Sequence, residues 1–162
     1  NALPFILAAL VVVSIFGSSF FTLLVIISLF SWGGFARQIR GEILRIREMD
    51  YVALARVAGA SPARIIIKHL IPGIINTTIV VATLGTGGII LAESTLSFLG
   101  VGIPPPNPAW GSMVSQGRDH IDSSWWIAVI PGLGIAFTVM SLNFIGDWLR
   151  DKLDPLLRQQ IN

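Results

Sequence analysis

Few residues of this chain invite a chemical role. The two histidines are His69 and His120, and Glu93 is the one acid between Gly73 and Gly117. Neither H-E-x-x-H nor G-x-S-x-G occurs, and cysteine is absent, so zinc-hydrolase, serine-hydrolase and thiolate chemistry have no residues to run on. The two lysines, Lys68 and Lys152, do not follow a glycine, which removes a phosphate-binding P-loop. Gly85-x-Gly87 continues to Ile90 and Gly132-x-Gly134 to Phe137, where a dinucleotide loop needs glycine. These glycines read instead as helix-packing positions, with Gly88–Ala92 and Gly132–Ala136 as small-xxx-small pairs. A carboxyl inside an apolar segment serves either substrate or proton handling, or local capping and pairing near a helix end; for Glu93 we read the second. Asn143 and Asp147 read as polar packing groups.

The elements that position these residues are set by an unusual charge distribution. Of 162 residues, 53% are hydrophobic and 12% charged, about half the charge of an ordinary soluble domain. No charge occurs from Asn1 to Ala36. Runs of that length exceed what a core of this size can bury, so lipid is their solvent. The net charge of +2 is not a nucleic-acid footprint, because the basic residues flank apolar runs, where membrane topology explains them. The first apolar run lacks the basic start of a signal peptide, and the chain, opening on Asn1, reads as one with an upstream portion missing.

As one helix the first uncharged stretch would be about 54 Å long, well beyond a hydrocarbon core of about 30 Å. Gly17-Ser18-Ser19 divides it, which predicts spans at about 3–16 and 20–35 with a tight turn between. Further spans are predicted at 74–99 and 125–148, giving an all-α polytopic membrane bundle of about four spans in a single domain. The 37–72 segment carries seven Lys and Arg (Arg37, Arg40, Arg45, Arg47, Arg56, Arg64 and Lys68). The tail carries Arg150, Lys152 and Arg158, and the Pro-rich connection 100–124 only Arg118. The positive-inside rule places 37–72 and the C-terminus in the cytoplasm and 100–124 outside. His69 and His120 then lie on opposite sides, which leaves no shared metal site. Trp125, Trp126 and Trp148 flank the last span as interfacial aromatics do.

The cytoplasmic segment has internal design. Leu44, Tyr51, Leu54 and Ala58 fall on one helical stripe, predicting a helix that stops at Gly59. Ser61-Pro62 supplies an N-cap and a first-turn proline for a second short helix to about Leu70, which Pro72 ends. The β-branched run Ile65-Ile66-Ile67 is, by propensity alone, also compatible with a strand.

Asp50-Tyr51-Val52-Ala53-Leu54-Ala55-Arg56-Val57-Ala58-Gly59-Ala60-Ser61, followed by His69-Leu70-Ile71-Pro72, resembles the EAA loop of ATP-binding-cassette importer permeases. That pattern is Glu-Ala-Ala, three residues, Gly, nine residues, then Ile-x-Leu-Pro; its Gly falls on Gly59 and its Pro on Pro72. Ala53 stands where Glu is usual, Leu54 where Ala is, His69 for Ile and Ile71 for Leu. Ala92–Gly102, Pro108-Ala109-Trp110-Gly111, Asn143–Asp147 and Leu153-Asp154-Pro155 resemble the dipeptide, oligopeptide and nickel branch of that family, second-permease type.

The resemblance implies a type I importer transmembrane domain whose N-terminal spans are absent, in a bacterial or archaeal plasma membrane. It implies a coupling helix seated on a separate ATPase subunit, with Ala53, Leu54, Ala55, Gly59, Ser61, His69, Ile71 and Pro72 as the loop's residues. A sister permease and an external substrate-binding protein complete the implied assembly. It implies no cofactor, and dipeptides or oligopeptides as cargo, with nickel as the alternative. A self-sufficient channel or secondary transporter would need polar groups aligned along its spans, and the chain offers Glu93 and little else.

Overall fold

The computed structural model describes residues 4–153. Leu3, at the start of the first predicted span, and Asp154-Pro155 and Arg158 in the tail lie outside the described residues.

The regular structure of the described residues is all helix, with no strand among them. α1 (Phe5–Phe16) ends at Gly17, whose positive φ of 81° lets the chain turn. Ser19 opens α2 (Phe20–Arg47) by accepting the Thr22 N–H at 3.0 Å, the geometry of a serine N-cap. α3 (Asp50–Val57), α4 (Pro62–Ile65) and a π-turn (Ile66–Leu70) follow, then α5 (Ile71–Phe98). α6 (Trp110–Arg118), α7 (Ile121–Ser124) and α8 (Trp126–Leu153) complete the order.

Several expectations are corrected. α2 does not stop near 35 but continues through the charged stretch to Arg47. The stripe Leu44–Ala58 is not one helix, because the chain breaks at Glu48–Met49 and Met49 takes an extended conformation (ψ 146°). Pro72 does not end a helix. The backbone runs helically from Pro62 to Phe98, and the Ile71 N–H reaches back five residues to the Ile66 carbonyl. A proline inside a helix removes a donor and its ring clashes with the carbonyl four residues earlier; the wider π-turn just ahead of Pro72 makes room for it. Ile65-Ile66-Ile67 is helical in that context. The connection 100–124 holds α6 and α7. Pro131 lies inside α8.

Among the described residues three helical stretches are long and apolar enough to cross a membrane: Phe20–Arg47, Pro62–Phe98 and Trp126–Leu153. α1, at 12 residues, rises about 18 Å, short of a hydrocarbon core. Among the described residues α1 is the shorter apolar helix beside those three stretches.

The described residues form two compact units. The first comprises 4–32 and 85–143, around a core of Ala9, Val13, Leu23, Ile26 and Leu96. The second comprises 33–84 and 144–153, around Ile46, Val52 and Ile65 with Ala60, Leu70 and Ile74 against them. α5 meets α8 at positions other than the expected pairs. A Cβ added to Gly88 or Gly132 would find nothing within 4 Å, whereas one on Gly87 would meet Val139 and Asn143 at 3.3 Å. In the second unit a Cβ on Gly146 would come 2.5 Å from Leu84 Cδ2. Gly88 is one residue, about 100° of helix, round from Gly87, and so belongs to another face.

Candidate functional site

The candidate site is the hairpin made by α3, the Gly59 turn and α4. α3 ends in a Schellman motif: the Ala60 N–H donates to the Ala55 carbonyl at 3.0 Å and the Gly59 N–H to the Arg56 carbonyl at 2.9 Å. This closure places Gly59 at φ +78°, a conformation glycine adopts without strain. Ser61 then caps α4, its Oγ accepting the Arg64 N–H at 3.3 Å with Pro62 in the first turn. The helix–glycine–helix plan read from the residues is thus carried by the bonds expected of it.

Burial divides α3 into two faces. Val52 is fully buried against Ile46 of α2 and Ile65 of α4, and burying a valine contributes about 1.5 kcal/mol or more. The other side is open: Leu54 is 68% exposed and Val57 88%, with Ala53 and Ala58 exposed beside them. Ala55 is half-buried because its carbonyl and neighbours close the turn. Val57 was not singled out from the sequence, although its spacing of three from Leu54 and four from Ala53 places it on that face. Tyr51, also exposed, lies with its ring 5.8 Å from that of His69 in the π-turn. Ile71 and Pro72 open α5 and are exposed.

The hairpin is tied to the long helices of its unit. Gly73, just past Pro72, packs on Ile46. Glu42 of α2 accepts a forked pair of bonds from Arg45, 2.6 Å from Nη2 and 3.1 Å from Nε, and the Thr77 hydroxyl of α5 donates to it at 3.4 Å. The Arg45 hydrogen bond is the chief reason the Glu42 carboxyl is held below its ordinary range; partial burial opposes that, while the Arg45 charge and Thr77 reinforce it. Glu42 lies in the charged extension of α2, beyond its apolar part. Asn76 of α5 donates to the Leu153 carbonyl of α8 at 3.2 Å. α2, α5 and α8 are therefore joined where the hairpin attaches.

Glu93 belongs to the other unit and is not part of the hairpin. Its Oε1 accepts from Ser97 Oγ at 2.5 Å, and it lines a cavity between α2, α5 and α6. No cluster of three His, Cys, Asp or Glu suited to a metal occurs among the described residues.

An all-helical membrane protein with a short amphipathic hairpin fixed to its long helices is the class this arrangement defines. The chain belongs to the binding-protein-dependent transport system inner membrane component family, whose pattern it matches over residues 1–159. It is 49% identical over 125 residues to a putative peptide transport system permease protein of Brucella abortus, covering 77% of this chain and 42% of that protein. It is 38% identical over 157 residues to the glutathione transport system permease protein GsiD of Escherichia coli, covering 97% of this chain and 52% of that protein. The chain thus spans about half the length of the curated relatives it matches.

Proposed function

We propose that the chain is the membrane-spanning part of an ATP-driven, binding-protein-dependent importer of peptides, coupled to a separate ATPase subunit through α3. The observation that carries this reading is the pairing of an exposed apolar face, Leu54 and Val57, with a buried anchor, Val52. An apolar helix face left open in one chain is suited to a groove on a partner. A rigid element tied to three long helices passes a displacement of that partner to all of them. The relatives' printed roles, in peptide and glutathione transport, support a peptide cargo over nickel.

In this reading the hairpin and the C-terminal tail face the cytoplasm, and the Lys and Arg distribution supports that orientation. A sister permease completes the path, and an external binding protein delivers the cargo. Ala53, in place of the usual glutamate, offers the ATPase a close apolar approach without a charge.

The decisive experiment is Gly59→Asp in the assembled transporter, measured as uptake of labelled dipeptide beside ATP hydrolysis. The expected result is a protein that inserts normally but no longer links hydrolysis to uptake. Normal uptake in that variant refutes the docking role. Preferential uptake of nickel over dipeptide by the unaltered assembly refutes the cargo.

A further inference from the structure

The first unit contains a cavity of about 480 Å³, bounded by Phe20, Leu23, Leu24 and Ile27 of α2, Ile89, Glu93 and Ser94 of α5, and Trp110 of α6. That volume lies within the range of small-molecule sites, which pair apolar walls with a few placed polar groups. Here the polar groups on the α5 wall are Glu93 and Ser94.

Ser94 is the anomaly. Several helical hydroxyls return to the carbonyl four residues earlier, Thr78 to Ile74, Thr83 to Ile79, Thr95 to Leu91, Thr138 to Gly134 and Ser141 to Phe137, at 2.7–2.9 Å, while Thr77 and Ser97 donate to the carboxyls of Glu42 and Glu93. Ser94 makes no such bond. It is 7% exposed, and its Oγ is buried with no hydrogen-bond partner. Leaving a buried hydroxyl unpaired is unfavourable, because the group has lost its bonds to water and gained none in return. Its neighbour Glu93 takes the Ser97 hydroxyl on Oε1, which leaves Oε2 to bond outside the chain. A carboxyl oxygen without a partner in the chain and, one residue on, a buried unpaired hydroxyl therefore occur on the α5 wall of a cavity whose other lining residues, Ser28 apart, are apolar.

We propose that this cavity receives a primary ammonium carried next to an apolar group, namely the N-terminus and first side chain of a peptide in transit. An ammonium has three donors and no acceptor, which complements Glu93 Oε2, and turning the Ser94 side chain about its χ1 would bring the unpaired Oγ to the same donor group. Leu23, Leu24, Ile27 and Ile89 then surround the side chain. A purely hydrocarbon occupant would leave both acceptors unsatisfied, an anion would meet the carboxyl, and a metal would lack ligands, since no other acid or histidine lines the cavity. The peptide rests on the importer reading given above; the ammonium chemistry does not, because the headgroup of an aminophospholipid offers the same group.

The test is equilibrium binding of tritiated Ala-Phe to the complete permease–ATPase assembly in phosphatidylcholine nanodiscs. The binding protein is omitted so that its own selectivity does not filter the ligand. Binding is expected to weaken about tenfold or more in Glu93→Gln, an isosteric change that removes the charge. Ser94→Ala should weaken it by a smaller factor, and N-acetyl-Ala-Phe should fail to compete. Both variants are checked for assembly by size exclusion and by ATP hydrolysis. Equal affinity in Glu93→Gln, or equal competition by the acetylated dipeptide, overturns the site. Saturable binding of phosphatidylethanolamine that depends on Glu93, with none of the dipeptide, assigns the cavity to lipid and overturns the peptide. If uptake by Glu93→Gln keeps its wild-type rate and affinity, this site alone fails. If the unaltered assembly couples ATP to no peptide at all, it is the importer reading that fails.

Discussion

Gly73 at the start of α5 lies against Ile46 near the end of α2, so close that a Cβ added to the glycine would sit 2.9 Å from Ile46 Cδ1 and 3.4 Å from its Cγ2. Ile46 is buried and is also the surface on which Val52 rests. One isoleucine thus fixes both the first turn of α5 and the underside of the hairpin.

This contact predicts a graded response. Gly73→Ala meets the far end of a side chain and is expected to cost about 1 kcal/mol as Ile46 shifts. Gly73→Val extends into the rest of Ile46 and should cost about 2–3 kcal/mol by overpacking. Thermal unfolding of the two variants in detergent checks the order; equal stability of Val and Gly at this position contradicts the packing.

Turn chemistry is readable here because single residues enforce it. Gly59 at positive φ, Ser61 as N-cap and Pro62 in the first turn are local events, and residue type alone places each of them. The break at Glu48–Met49 is not readable, since Arg47, Glu48 and Met49 are all competent helix formers. Tertiary packing sets it, by drawing Val52 back onto Ile46. Pro72 misleads for a related reason: proline signals a stop, but a π-turn ahead of it lets the helix continue. Spacing alone does not tell which face of α5 meets α8: Gly87 does and Gly88 does not, although the two differ only in direction. The cavity has one mark visible in the sequence, Glu93; the unpaired Ser94 needs coordinates, because a serine's lost bond leaves no trace in residue order.

At Gly59 the prediction concerns backbone alone. No atom lies within 4 Å of a Cβ there, yet φ is +78°, so Gly59→Ala should cost about 1 kcal/mol through strain without any clash. Gly59→Asn should cost less, because asparagine tolerates the left-handed region. A stability ranking of Gly, Asn, Ala supports the Schellman closure, and Ala equal to Gly contradicts it.

Ser61→Ala removes the acceptor for the Arg64 N–H and is expected to cost about 1 kcal/mol. Ser61→Asp should retain the cap. Amide hydrogen exchange at Arg64, faster in the alanine variant and restored in the aspartate one, is the direct readout.

The Glu42 carboxyl is held below the usual value of 4.5, chiefly by its bond from Arg45. A group whose folded pKa is depressed stabilises the fold above its unfolded pKa, and that stability is lost as pH falls through the folded value. The wild type should therefore exceed Glu42→Gln by a constant margin above about pH 5.5, with the margin closing below about pH 4.5. Arg45 is 60% exposed, so screening keeps the effect small. Melting temperatures of both proteins across about pH 3.5 to 7 test it; a margin that widens on acidification contradicts the assignment.

Two valines five residues apart on α3 give the sharpest separation of fold from function. Val52 is fully buried and Val57 is 88% exposed. Val52→Ala should destabilise the hairpin by about 2 kcal/mol, through lost transfer energy and the cavity left beside Ile46 and Ile65. Val57→Ser changes a side chain that is almost wholly exposed and should leave thermal stability within about 0.5 kcal/mol. If α3 seats on an ATPase, the same exposed change, above all when combined with Leu54→Ser, should weaken co-purification of the ATPase and lower uptake in step. Desolvated apolar contacts at an interface centre are those whose truncation is felt most. A Val57→Ser, Leu54→Ser double variant that retains both partner and uptake would remove α3 as the contact, whatever the hairpin's stability.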